Sequence, residues 1–233
     1  MEDINHIRKI SIWIFIVPVL VLNLCLIISV NWIFFQGTIF AVDPIGQSGF
    51  SIPYFDGGLS ISRASRTFPT YLLFKPGMII TAILLIQYWI ANNKLIKKID
   101  AKNSGNRYFF IFGVGSAIFL ILHAIFLGVS FDVEIYKLFR RVVLLAFIIF
   151  EIVAQTLLVL NIIKIKSEIE NFINKKILTV KIILVSILII VAILSAPILN
   201  SSDYTHFKHA LEWNYFIGVV SFYLLTFLFW KKK

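Results

Sequence analysis

The sequence predicts an all-α fold: a polytopic membrane protein whose six transmembrane helices form a bundle with a long first extracytoplasmic loop. Six apolar runs bounded by charge predict the helices: Ile10 to Phe35, Tyr71 to Ala91, Tyr108 to Val129, Val142 to Ile163, Ile177 to Leu199 and Tyr215 to Trp230. Each reaches or approaches the ~20 residues that cross a ~30 Å hydrocarbon core. A water-soluble helix of such length shows a polar face, and Ile182 to Ile190 shows none. Composition is the second observation. With 59% hydrophobic residues and a mean hydropathy of +0.91 in 233 residues, six spans and their connections use up the chain as one membrane domain, 1–233. The third observation is that basic residues gather in alternate connections.

The first run follows Arg8 and Lys9, but about 26 apolar residues without a small-x-small cleavage site are too long for a signal peptide, so it is expected to be a retained span. It contains Pro18, which removes a backbone donor, and Cys25, a small hydrophobe that leaves the redox compartment open. The segment from Gln36 to Thr70 is rich in Gly and Pro yet carries Phe40, Phe50, Tyr54, Phe55 and Phe68. Aromatics in a turn-rich loop point to a lid packed on the span ends rather than a free tail. Pro76 lies near the outer start of the second span. In the third, Gly113 and Gly115 with Ser116 and Ala117 form a small face suited to close helix contact. The remaining outer connections, Ser130 to Arg141 and Asn200 to Asn214, are short. Asn200-Ser201-Ser202 is a formal glycosylation sequon abutting the fifth span, and whether Asn200 is modified stays open.

The formal net charge of +10 is explained by topology rather than nucleic acid. Arg8 and Lys9; Lys94, Lys97, Lys98, Lys102 and Arg107; Lys164, Lys166, Lys175, Lys176 and Lys181; and Lys231 to Lys233 hold 15 of the 22 Lys and Arg. The positive-inside rule makes these regions cytoplasmic, with both termini inside, as an even number of spans requires. Membrane lipids are the expected partners. The sequence leaves cell membrane and endomembrane alike open.

Polar groups inside spans are expensive, so each is a candidate for function or for a satisfied contact. Glu151 sits near the middle of the fourth span, with Gln155 one turn on, and His123 lies in the outer half of the third. At 1.5 Å per residue, His123 is about 9 Å deep and Glu151 about 15 Å. They are expected either to face each other as an acid/base pair, making them the catalytic candidates, or to leave Glu151 hydrogen-bonded to Gln155 in a structural role. Structural roles are expected for Asn23, Asn31, Gln87 and Asn161. At the outer surface, Arg63, Arg66 and Lys75 flank one span end, within a wider set that includes Arg140, Arg141, Asp203, His206, Lys208, His209 and Glu212. They fit either interfacial snorkelling or capture of an anionic head group. His206-x-x-His209 with Asp203 lacks a third ligand, and no nucleotide, hydrolase or zinc motif occurs, so neither metal nor cofactor is expected.

Two segments carry a resemblance. Ser60-Ile61-Ser62, then Phe68-Pro69 and Phe74, is similar to the Ile-Ser signature, with its spaced Pro and Phe, at the outer mouth of span two in the Frag/DRAM/Sfk family. Glu212-Trp213, with Phe222-Tyr223-Leu224-Leu225-Thr226-Phe227, resembles the Glu-Trp and Phe-Tyr-x-Leu-Thr-Phe pattern of the damage-regulated autophagy modulators in that family. The motif residues are thus Ile61, Ser62, Pro69, Phe74, Glu212, Trp213, Tyr223 and Thr226. Arg63 stands where that branch often has an acid, Ser65 where Gly is usual and Thr70 where Glu often follows the proline. Phe74-Lys75 looks more like the branch implicated in remodelling the lipid of glycosylphosphatidylinositol anchors. The resemblance implies six spans and a role in membrane lipid remodelling or organisation, and it transfers no catalytic mechanism.

The leading expectation is a protein that binds lipid head groups through Arg63, Arg66, Lys75 and Glu212 without catalysis of its own, Glu212 lying beside Lys75 or Arg63. The alternatives are a membrane-embedded lipid acyltransferase or hydrolase using His123 or Glu151, which lacks a clear nucleophile, and a small proton-coupled transporter, disfavoured by the absence of an inverted repeat.

Overall fold

The computed structural model describes residues 2–100, 108–129, 134–200 and 203–231. Lys102, Arg107, Lys232, Lys233, the residues 130–133 of the third connection and the sequon residues Ser201 and Ser202 lie outside them. Among the described residues six helices are long and apolar enough to cross a membrane: α1 (Glu2–Val30), α3 (Tyr71–Ile99), α4 (Tyr108–Phe126), α5 (Glu134–Lys164), α7 (Lys175–Asn200) and α8 (Thr205–Phe229). The short helices α2 (Ile61–Ser65) and α6 (Lys166–Ile169) lie in connections. The fold is an all-α six-span bundle and the protein an integral, multi-pass membrane protein. Its surface agrees: Ile183, Ile187, Ile190, Ile193 and Leu194 on α7, and Ile111, Ile118 and Ile125 on α4, are exposed. Apolar side chains turned outward along whole helices suit lipid and not water.

The helices run beyond the apolar runs at several ends. At 29 residues, α1 and α3 are about 44 Å long, more than the ~30 Å core requires, and their surplus is tied together on the face that carries both termini. There Lys98 of α3 pairs with Asp3 of α1, and Arg8 Nε donates to the Phe227 carbonyl of α8 with its guanidinium 4.7 Å from the Phe227 ring. The first helix stops at Val30 rather than Phe35. Trp32–Phe35 form a 3-10 turn whose aromatics suit a bilayer interface, and the Asn31 side chain turns back to the Ile27 carbonyl. The third connection is also corrected: α5 begins at Glu134, so Arg140 and Arg141 are helical rather than loop residues.

Around the bundle each long helix packs on its chain neighbour, α1 on α3, α3 on α4, α4 on α5, α5 on α7 and α7 on α8, and α8 closes the ring on α1. Small residues set two of these approaches. A Cβ on Gly113 would lie 2.2 Å from the Trp89 indole of α3, and one on Gly115 would lie 2.6 Å from the Phe150 ring of α5. Two residues apart on a helix, they serve opposite neighbours instead of one small face. The intramembrane amides Asn23, Asn92 and Asn161 each return a hydrogen bond to the carbonyl four residues earlier.

On the other face, residues 31–70 form a folded cover. Asn214 Nδ2 donates to the Tyr54 carbonyl, His206 Nδ1 to Asp56 and His209 Nδ1 to Gly57; a carbonyl only accepts, so both imidazoles carry their proton on Nδ1. Gly57 has φ +61°, and a Cβ there would meet the His206 carbonyl at 1.7 Å, so this close docking of the loop on α8 requires glycine.

Exposed Asp56 ties the same turn. Its carboxylate accepts from the Gly58 N–H, the Ser51 hydroxyl and the Ile52 N–H. The Gly58 bond foremost, then Ser51, holds its pKa below the ordinary carboxylate range. A carboxyl lowered on folding adds stability above its unfolded pKa and loses it as pH falls through its folded one. Protection of the Ile52 and Gly58 amides, read by hydrogen exchange, is therefore expected to fall as the medium is acidified through that range, and Asp56→Asn to abolish the dependence.

Candidate functional site

Beneath this cover lies a partly enclosed cavity of about 160 Å³. Its walls come from α1, α3, α4, α5 and α8, and α2 sits at its mouth through Ile61 and Ser62. Lining positions run from Phe74 to Leu85 on α3 and from Glu212 to Tyr223 on α8. Eleven rises of 1.5 Å make it about 16 Å long, close to one leaflet of the ~30 Å core. Its lining is almost wholly apolar, with Met78, Leu120, Leu127, Phe147 and Val220 among the contributors. The volume resembles that of apolar cavities that stay dry and accept one benzene-sized group, so it suits a stretch of hydrocarbon better than a polar substrate.

At the mouth, the two motif-bearing segments meet. Glu212 Oε2 accepts from the Ile61 N–H at 3.2 Å, in the first turn of α2, while Ser60 Oγ accepts from the Arg63 N–H as N-cap. The wholly buried Trp213 donates from Nε1 to the Leu59 carbonyl at 2.8 Å, and its ring meets Tyr54 edge-on at 5.0 Å. Pro69 and Phe74 are buried where α3 begins. Glu212 therefore holds backbone; it does not pair with Lys75 or Arg63. Lys75 Nζ reaches the Ile125 carbonyl of α4 and lies 5.6 Å from the Tyr71 ring, while Arg63 donates to the Ile45 and Gln47 carbonyls. Three of the four head-group candidates thus fasten the cover or a helix end. The fourth, Arg66, is half-buried and makes no such bond; burial, and after it the guanidiniums of Arg140 and Arg63, hold its pKa below the usual arginine value.

At the floor, Glu151 is 1% exposed and fully engaged. Its Oε2 lies 2.6 Å from Ser116 Oγ of α4; its Oε1 accepts from Gln155 Nε2 at 2.9 Å and from the Tyr223 hydroxyl of α8. Gln155 Nε2 also donates to the Val219 carbonyl. His123 lines the same cavity but packs edge-on against Phe74 at 6.3 Å and shares no hydrogen bond with Glu151. Of the two arrangements the sequence allows, His123 and Glu151 are not hydrogen-bonded to each other, whereas Glu151 and Gln155 are.

One polar group was misplaced by sequence reasoning. Lys181, grouped with the basic connection, lies six residues inside α7 and is wholly buried. Its Nζ donates to Thr226 Oγ1 at 2.7 Å and sits 3.9 Å from the Phe222 ring and 5.4 Å from that of Phe229. Thr226 Oγ1 gives its own hydrogen to the Phe222 carbonyl and lies 3.3 Å from the Tyr88 hydroxyl of α3. Its apolar neighbours on both sides, Val180 and Ile182, were the available signal. Phe222, Tyr223 and Thr226 thus contact two buried charge-bearing side chains of the bundle, Glu151 and Lys181. No family model, curated protein or solved structure matches the chain.

Proposed function

We propose that this protein binds a membrane lipid, taking part of its acyl chain into the central cavity, and supports membrane lipid remodelling or organisation without catalysis of its own. The observation that carries it is a leaflet-long apolar cavity capped by a folded cover. The hydrogen-bonded state of Glu151 supports a binding role over an acid/base one, since each carboxyl oxygen already has a partner and the adjoining Ser116 hydroxyl also bonds the Gly113 carbonyl of its own helix. The likeness of the mouth segments to the Frag/DRAM/Sfk pattern supports the same role. The cover is extracytoplasmic and both termini are cytoplasmic, because Arg8, Lys9, Lys94, Lys97, Lys98, Lys164, Lys166, Lys175, Lys176 and Lys231 all lie toward the terminal face.

Phosphatidylcholine bearing a diazirine midway along one acyl chain tests the binding. After reconstitution and irradiation, adducts are expected on the α3, α4 and α8 segments that line the cavity, and Leu120→Trp, which fills it, should reduce them about tenfold. Adducts confined to lipid-facing residues such as Ile183, Ile187 and Ile190, unchanged by Leu120→Trp, would overturn the proposal. Orientation is read separately in a Cys25→Ala background. An impermeant maleimide added to intact cells should label Gly49→Cys, whose Cβ points into open space, and spare Ser167→Cys on α6. The reverse pattern would invert the topology.

A further inference from the structure

Arg140 was part of the outer basic set but not among the head-group candidates, and the structure gives it a particular setting. It lies one turn before Leu144, a cavity-lining residue, so both share a face of α5. Its guanidinium is 5.3 Å from the Tyr136 ring, and the Tyr136 hydroxyl donates to the Phe126 carbonyl of α4, which fixes that platform. Its Nε is buried without a hydrogen-bond partner. Arg66 reaches the same corner from the cover. Its carbonyl packs on Gly128, directly after cavity-lining Leu127, where φ is +84° and a Cβ would approach that carbonyl to 2.4 Å. The charge of Arg140 reaches Arg66, whose pKa it helps burial to lower.

Among the described side chains no carboxylate forms an ion pair with either; the ion pairs found there, Lys98 with Asp3 and Lys175 with Glu170, belong to the terminal face. Two arginines held together at the rim of an apolar cavity, one with a buried unsatisfied donor, repel each other until an anion joins them. A guanidinium fork matches the oxygens of a phosphate in a plane, which an ammonium does not.

We propose that Arg66 and Arg140 form a phosphate-binding site at the cavity rim, and that the phosphate is the head group of an anionic lipid whose acyl chain occupies the cavity. This rests on the acyl-binding role above and adds the chemical class of the lipid. Arg63 and Lys75, committed to backbone carbonyls, stay outside the site.

The test uses the full chain in nanodiscs of phosphatidylcholine alone or doped with phosphatidylglycerol, with thermal unfolding and diazirine-lipid adducts as readouts. Phosphatidylglycerol is expected to raise the unfolding midpoint of the wild type and to give about tenfold more adduct than phosphatidylcholine bearing the same diazirine. Arg66→Gln with Arg140→Gln should erase both differences while keeping the phosphatidylcholine adducts in the cavity; with repulsion removed, it should unfold no earlier than wild type in phosphatidylcholine alone. Arg66→Lys with Arg140→Lys keeps the charge and loses the fork, and should retain only part of the preference. Arg63→Gln should retain it all. A preference that survives the double glutamine variant overturns the site, whereas loss of cavity adducts in every lipid overturns the acyl-binding role instead. Stabilisation of the wild type by millimolar inorganic phosphate, equal to that by phosphatidylglycerol and lost in the double variant, supports phosphate recognition but assigns it to a soluble anion and overturns the lipid assignment.

Discussion

Trp213→Ala is expected to destabilise the protein by about 3 to 5 kcal/mol, the range for removing a buried aromatic side chain. Trp213 is wholly buried at the junction of α8 and the cover, and its loss removes the ring under Tyr54 together with the hydrogen bond to the Leu59 carbonyl. Trp213→Phe keeps most of the volume and loses the N–H donor, so about 1 kcal/mol is expected for it. Unfolding in mild detergent measures both. Trypsin should cut after Arg63 or Arg66 faster in the alanine variant, because the cover loses its anchor. An alanine variant within about 0.5 kcal/mol of wild type and equally resistant to trypsin would mean that the cover is held elsewhere.

Glu151→Leu is expected to cost about 2 kcal/mol, and Glu151→Gln less than about 0.5 kcal/mol. Leucine leaves three polar neighbours without their acceptor, but unequally. Ser116 keeps the Gly113 carbonyl and Gln155 keeps that of Val219, whereas the Tyr223 hydroxyl has only the Gln155 side chain to turn to. Glutamine reproduces the arrangement: its carbonyl accepts from Tyr223 and Gln155, and its amide donates to Ser116 Oγ, whose hydrogen goes to Gly113. Unfolding measurements separate the two variants, and diazirine-lipid binding should survive the glutamine change. A folded Glu151→Gln protein that has lost its cellular activity would restore a proton-transfer role for the carboxyl.

The six helices were legible because lipid imposes a length and an apolar composition that few other environments demand. Their ends were less so. Asn31 closes α1 through a local side-chain bond, and Glu134 to Arg141, half of whose residues are charged, continue α5 ahead of its apolar run, where hydropathy no longer reports helix. Glu151 with Gln155 was readable from their one-turn spacing, but Ser116 and Tyr223 are 35 and 72 residues from Glu151, and nothing local announces a neutral hydroxyl as its partner. The same holds for Glu212. Its charge suggested Lys75 or Arg63, yet in the fold the free N–H groups of a short helix took it, because α2 presents them directly to α8. Lys181 was hidden by a rule that is sound on average: lysines near span ends belong to loops, unless the first turn of the span lies before them.

The ring closes only through its last member. α3, α4, α5 and α7 each pack on a helix already made, so growth is local in sequence until α8 arrives. Then Arg8 meets Phe227, Leu59 meets Trp213, Ile61 meets Glu212, Glu151 meets Tyr223 and Lys181 meets Thr226. During synthesis the nascent chain accordingly holds an acid, an amine and an unfastened loop until its final segment enters the bilayer. A ribosome stalled before Thr205 releases a product with five inserted helices, in which Lys181 and the Leu59 carbonyl lack their α8 partners and Glu151 keeps only Ser116 and Gln155, a ready target for membrane proteases, whereas one more helix converts the same residues into the seal of the bundle.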